Sequence, residues 1–262
     1  MVVVRKLILT VVCLIAAAVL VDFGAAAYSE YRVSRGLREG AGLDSDPAVT
    51  ITGFPFLTQA AEGRYRHIEI RAVGVPSDEL GDVSVEADLH GVEVSASDLI
   101  GGDVRTVPVE HIDGRIKIEA TSLGAYLGIP DLEVSAPPAD PSDGTGGSGG
   151  SGMSTGGGIV LTGTVPVGPL TTTVSVTADL VLDGDNVTIV ATDLYFGPEG
   201  SANFTVPAPL KPAVLGLFSK QVDVRQLPFG VRPTKVYAQG SQVAIEGSGD
   251  NVVIDLDEMA TP

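Results

Sequence analysis

The residues Gly144-Thr145-Gly146-Gly147-Ser148-Gly149 carry the glycine spacing that cradles the pyrophosphate of a dinucleotide. That chemistry needs a strand leading into the glycines and a helix starting on them, so that backbone amides converge on the phosphates. Pro/Asp-rich sequence precedes this run and a Val-rich segment follows it, so a Gly/Ser linker accounts for it. The overlapping Gly146-Gly147-Ser148-Gly149-Gly150 matches a hydrolase nucleophile elbow, which requires an acid and then a histidine later in the chain. All three histidines, His67, His90 and His111, come before Ser148, and that reading fails. The histidines are also too widely spaced for a local metal motif, and His67 and His90 alternate onto polar strand faces. Only a three-dimensional assembly would make them ligands. Asp183-Gly184-Asp185-Asn186 resembles the start of a calcium loop but lacks the glutamate at the twelfth position, so a hairpin turn is the simpler account. Asn186-Val187-Thr188 and Asn203-Phe204-Thr205 are formal glycosylation acceptors only. No nucleophile, base and orienting group fall into a working order. The expectation is a protein that is not an enzyme, with no catalytic residues, no metal and no cofactor.

The elements that would position any site begin with the amino terminus. Arg5 and Lys6 precede an apolar run from Leu7 to Val21, and Ala25-Ala26-Ala27 offers a small-residue cleavage site before Tyr28. Residues 1–27 therefore read as a secretory signal peptide or, since apolar character resumes after Asp22, as an uncleaved anchor over residues 7–27. Either way the basic residues stay inside and residues 28–262 are exported, to the cell envelope or periplasmic space. Cys13, the only cysteine, lies in this segment and lacks a lipoprotein context, so the exported part folds without an internal disulfide. With 33 acidic against 16 basic residues, the net charge of −17 disfavours nucleic acid as a partner.

Tyr28 to Gly40 continues as a short helix in which Arg32, Arg35 and Arg38 drift along one face, either lying on anionic headgroups or offset by Glu30 and Glu39. From Ala48 the period becomes two. Ile68, Ile70 and Ala72, then Val83, Val85, Ala87 and Leu89, then Ile116, Ile118 and Ala120, and later Val174, Val176, Ala178 and Leu180 all alternate with polar neighbours. These are antiparallel strands with one buried face, about ten in all. Asp113-Gly114, Asp183-Gly184 and Asp250-Asn251 read as hairpin turns. Helical signals are confined to Ser122–Leu127 and to Leu210, Val214, Leu217 and Phe218, the latter started by Pro207 and Pro209. So few helices cannot cover so many apolar strand faces. The sheet must curl, pair with another, or wrap an apolar ligand. A Gly/Ser/Pro-rich insertion at 137–157 is expected to be disordered within a single exported domain, 28–262.

The stretch Val49-Thr50-Ile51-Thr52-Gly53-Phe54-Pro55-Phe56-Leu57-Thr58, followed by Gly63 and Ile68-Glu69-Ile70, resembles the signature of an actinobacterial envelope lipid-binding family that includes the mycobacterial lipomannan elongation factor. The resemblance continues through Leu89-His90-Gly91-Val92, Leu123 to Leu132 and Leu227-Pro228-Phe229-Gly230-Val231. It implies an α+β, mostly β fold, a curved antiparallel sheet wrapped around a helix as in tubular lipid-binding domains. It further implies a phospholipid partner, phosphatidylinositol or its mannosides, at a membrane surface, and a role in elongating phosphatidylinositol-anchored mannans such as lipomannan and lipoarabinomannan. Three apolar clusters are the candidates to line a lipid groove: Phe54, Phe56 and Leu57; Leu210, Val214, Leu217 and Phe218; and Leu227 and Phe229. The alternative is a structural or accessory envelope protein that recruits or stabilises an envelope enzyme by surface contact, without bound lipid.

Overall fold

The computed structural model describes residues 2–77, 80–101, 106–135, 158–184, 186–195, 206–223 and 231–255. The insertion at 137–157 with its glycine run and Ser148, and also Asp185, Asn203, Leu227 and Phe229, lie outside the described residues.

The first element is a continuous helix, α1 (Val2–Gly40), followed by strand β1 (Ala48–Thr52) and helix α2 (Phe56–Glu62). Then come β2 (Arg64–Ser77), β3 (Gly81–Glu93), α3 (Ala96–Gly101), β4 (Thr106–Glu119), α4 (Ala120–Leu127) and β5 (Glu133–Ser135). The second part of the chain supplies β6 (Gly158–Val167), β7 (Leu170–Asp183), β8 (Asn186–Tyr195), α5 (Lys211–Phe218), β9 (Lys220–Asp223), β10 (Arg232–Gln239) and β11 (Gln242–Asp255). Strand order is β1-β2-β3-β4-β11-β10 in a six-stranded sheet and β5-β6-β7-β8-β9 in a five-stranded one. The expected α+β, mostly β architecture is present as two antiparallel sheets that do not close.

The chain forms two compact units. One comprises Met1–Ala72, Glu86–Asp113 and Gly249–Pro262, the other Val73–Val85 and Gly114–Ser248. In the first, the carboxyl half of α1 packs on β1, α2 and α3. It does so through Asp22, Ser29 and Ser34, which are buried, and Ala25 and Ala26 between them, which are half-buried. From Asp22 to Ser29, and on through half-buried Val33, this is the three-and-four spacing of one helix face, and its small side chains let the backbones approach. Ser34 donates its hydroxyl to the Pro47 carbonyl at 2.6 Å, and Glu30 accepts the Ile51 N–H at 2.7 Å. Glu30 is therefore committed to β1. The arginine face of α1 is offset instead by Glu39 and Asp46, which lie 3.6 and 3.1 Å from Arg38.

In the second unit, α5 lies against β6, β7 and β8, and β10 packs against β7 and β6. Val174, Val176, Ala178 and Leu180 of β7 are buried, as the alternation requires. On the opposite face, Thr162 bonds Ser175 at 2.8 Å and Thr164 bonds Thr173 at 3.1 Å, each pair directly across the β6–β7 ladder. Such cross-strand hydroxyl pairs stabilise a polar face.

The turn expectations divide. Asp183 pairs with Asn186, so that hairpin forms. Asp113-Gly114 does not turn, because β4 runs straight through it. There the missing side chain of Gly114 makes room for Val231, whose Cγ2 would stand 3.2 Å from a Cβ. Asp250-Asn251 also lies within a strand, β11. The turn into β11 comes earlier, between the paired residues Gln239 and Gln242.

Candidate functional site

In the first unit, the sequence Gly53-Phe54-Pro55-Phe56-Leu57 forms the entry to α2. Gly53 has φ +114, and a Cβ there would stand 2.8 Å from Gln59 Nε2. Only glycine adopts that backbone without strain. Gln59 is buried and ties the turn together, donating to the Gly53 carbonyl at 2.7 Å and accepting the Arg66 N–H at 2.9 Å. Phe56 is buried beside Tyr65, ring centroids 6.0 Å apart. Phe54 and Leu57 point the other way and are 56 % and 46 % exposed. The amides at the start of α2 have no partner within their own helix. Asp22 of α1 supplies one, its carboxylate accepting the Phe56 N–H at 2.9 Å and the Leu57 N–H at 2.8 Å.

Beside this turn lies a surface pocket of about 380 Å³, lined by Pro55, Thr58, Arg64, Tyr65, Arg66 and His90 among others. Arg64 is paired with Glu110 and, at 3.4 Å, with Glu93. Arg66 makes no side-chain ion pair among the described residues. The Tyr65 hydroxyl is buried without a hydrogen-bond partner among the described residues, and burial raises its pKa. The fold also gathers the three histidines that are far apart in sequence. The His67 and His90 rings stack at 4.6 Å, and His90 meets His111 at 6.2 Å. Carboxylates take up the ends of this row, with Asp88 3.2 Å from His67 and Asp250 2.6 Å from His111. The Asp250 hydrogen bond raises the His111 pKa; burial opposes it, and Asp113 adds to the rise. Stacked rings do not converge on one point, and among the described residues no group of three His, Cys, Asp or Glu is placed to hold a metal.

The second unit holds the other apolar cluster. Val214 and Phe218 of α5 are buried, Leu210 is half-buried, and Leu217 is 39 % exposed. One helix therefore presents two of the four candidates inward and one outward. A pocket of about 400 Å³ lies beside α4, between Leu80, Gly81, Ser122 and Tyr126. Arg115 donates to Glu246 at 2.6 Å and the Tyr237 hydroxyl donates to the same oxygen at 2.6 Å. Burial alone would raise the Glu246 pKa, but these hydrogen bonds outweigh it and the group is held below its ordinary value.

The family profile for LmeA-like phospholipid-binding proteins matches residues 20–248. The chain belongs to the LmeA-like phospholipid-binding family. No curated protein and no solved structure matches it.

The family match starts at Leu20, so in this LmeA-like chain it takes in Asp22 and the buried face of α1 and leaves out the exposed apolar residues before it. α1 is long and apolar enough to cross a membrane. Sequence reasoning missed the parts of the site that are polar and paired. In the sequence Asp22 reads as a charge near the outer end of an apolar span that can reach the interface, and Gln59 and Arg66 carry no pattern. The one available signal was Asp22 itself, since a carboxylate inside such a run needs a partner.

Proposed function

We propose that this protein is a non-enzymatic cell-envelope protein that binds phospholipid, with its exported part on the outer face of the cytoplasmic membrane and residues 7–27 retained as its anchor. Membership of the phospholipid-binding family across residues 20–248 carries the reading. Three features support it. Phe54, Leu57 and Leu217 are apolar candidates with surface to offer a lipid chain. Arg66 lines a pocket without an ion-pair partner among the described residues and suits a phosphate. Asp22 makes the amino-terminal helix part of the folded unit, which supports retention. The finer role, support for elongation of phosphatidylinositol-anchored mannans with phosphatidylinositol or its mannosides as the lipid, rests on the family resemblance of the Gly53–Leu57 signature.

The accessory reading draws on one observation. Pockets of about 380 and 400 Å³ stand at the small end of ligand sites, which run to about 1,000 Å³, so neither encloses a whole diacyl lipid. Native mass spectrometry of the full-length protein released from detergent separates the two. A one-to-one phospholipid adduct supports lipid binding. A bare chain that still associates with an envelope enzyme supports the accessory role.

A further inference from the structure

Asp22 fixes the depth at which part of the exported fold sits. Lys6 is the last basic residue before the apolar run and marks the inner boundary of the span. A hydrocarbon core about 30 Å thick needs about 20 helical residues at 1.5 Å each. Counted from Leu7, such a span reaches Ala26, and tilt extends it further. Asp22 is four residues short of that point, about 6 Å below the outer end of the hydrocarbon. A carboxylate at that depth is costly unless it is hydrogen-bonded. It is bonded there, to the Phe56 and Leu57 amides at 2.9 and 2.8 Å, and it is only 5 % exposed. The start of α2 must therefore lie at the same depth as Asp22.

The surface around these bonds has the matching chemistry. Phe23 stacks on Phe54 with ring centroids 6.1 Å apart, and Phe23, Phe54 and Leu57 are all exposed large apolar side chains. Leu20 and Val21, also exposed, precede Phe23 on the span. In water such a cluster would remain uncovered, whereas aromatic side chains favour the membrane–water interface.

We propose that the Gly53–Leu57 turn is a membrane-seated element, with Phe54 and Leu57 immersed among the lipids of the outer leaflet and held at that depth by Asp22. The inference rests on α1 being a retained span and not on lipid being held within the fold. It also gives the two faces of the turn separate tasks. Phe56 and Gln59 hold α2 to β2, while Phe54 and Leu57 contact the bilayer. Pro55 and Thr58 line the 380 Å³ pocket, so seating the turn holds that pocket close to the headgroups.

The chain contains no tryptophan, so Phe54→Trp and Leu57→Trp each give a full-length protein with a single indole reporter. Both positions are exposed, so the larger ring leaves the fold intact. Each variant is reconstituted into phosphatidylcholine/phosphatidylglycerol vesicles whose acyl chains carry bromine either near the headgroup or near the methyl end. Unbrominated vesicles are the reference. The expected result is blue-shifted emission, most of it lost to the shallow bromines and less of it to the deep ones. Emission at the wavelength of indole in water with no quenching, or equal quenching by both bromine depths, overturns the proposal. Bound lipid is scored separately by the native mass measurement. A chain without bound lipid whose reporter is quenched loses phospholipid binding and keeps the seated turn. A lipid-carrying chain whose reporter emits unquenched does the reverse.

Discussion

Replacing Asp22 by Ala removes both acceptors that hold the first turn of α2. The carboxylate takes two backbone N–H groups at 2.9 and 2.8 Å from a position only 5 % exposed, so solvent is a poor substitute. A hydrogen bond to a charged group contributes about 1.5–3 kcal/mol, yet loss of a capping side chain usually costs about 0.5–2 kcal/mol in all, because the freed amides find other partners. Two bonds from one buried carboxylate place the cost for α2 at about 2–3 kcal/mol. The amides of Phe56 and Leu57 should then exchange with deuterium roughly 30- to 150-fold faster, one decade for about each 1.4 kcal/mol of easier opening. Exchange measured on the full-length protein reads this directly, with the β6–β7 ladder of the second unit as an unaffected reference. Asp22→Asn keeps one carbonyl acceptor and should show about half of the loss on the free-energy scale. Unchanged protection at Phe56 and Leu57 in Asp22→Ala would refute the reasoning. So would a mature chain beginning at Tyr28 with α2 fully protected, since it would hold that helix without the residue said to cap it.

Two further substitutions probe the rest of the molecule. Phe218 is fully buried, so Phe218→Ala should destabilise by about 3–5 kcal/mol, whereas Leu217→Ala on the same helix should cost under about 1 kcal/mol and reduce retained phospholipid; urea unfolding and the native-mass adduct read the two effects. Asp250→Asn should lower the His111 pKa toward its ordinary value, as seen by NMR titration, because the Asp250 hydrogen bond is the main cause of the rise. A raised folded-state pKa contributes stability that is fully present below about pH 6.5 and is lost as pH climbs through the folded value, so the difference in melting temperature between the wild type and Asp250→Asn should be largest near about pH 5.5 and shrink above neutrality.

The strands were legible because alternation is a local record of burial. Val83, Val85, Ala87 and Leu89 all face inward, as their period of two requires. The short helices α2 and α3 were not legible, since seven and six residues do not establish a helical period. Turn chemistry misled at Asp113-Gly114, where glycine serves close approach of Val231 and not chain reversal. The histidine row could not be foreseen. It depends on the register that sets β2, β3 and β4 side by side, and no local spacing encodes that.

The candidate site shows why apolar character alone does not assign a role. Phe54 and Phe56 are two residues apart in one motif, yet Phe56 is buried on Tyr65 while Phe54 is mostly exposed beside Phe23. Leu217 and Phe218 are adjacent in one helix and divide in the same way. A protein core and a lipid phase both favour the same side chains, so composition cannot say which of the two covers a given residue. The fold decides that by using some of them up. Phe56, Val214 and Phe218 are covered by their own units, and their truncation should register first as lost stability. Phe54, Leu57 and Leu217 keep apolar surface that the described fold does not cover, and in a phospholipid-binding family that remaining surface is where lipid contact is to be sought.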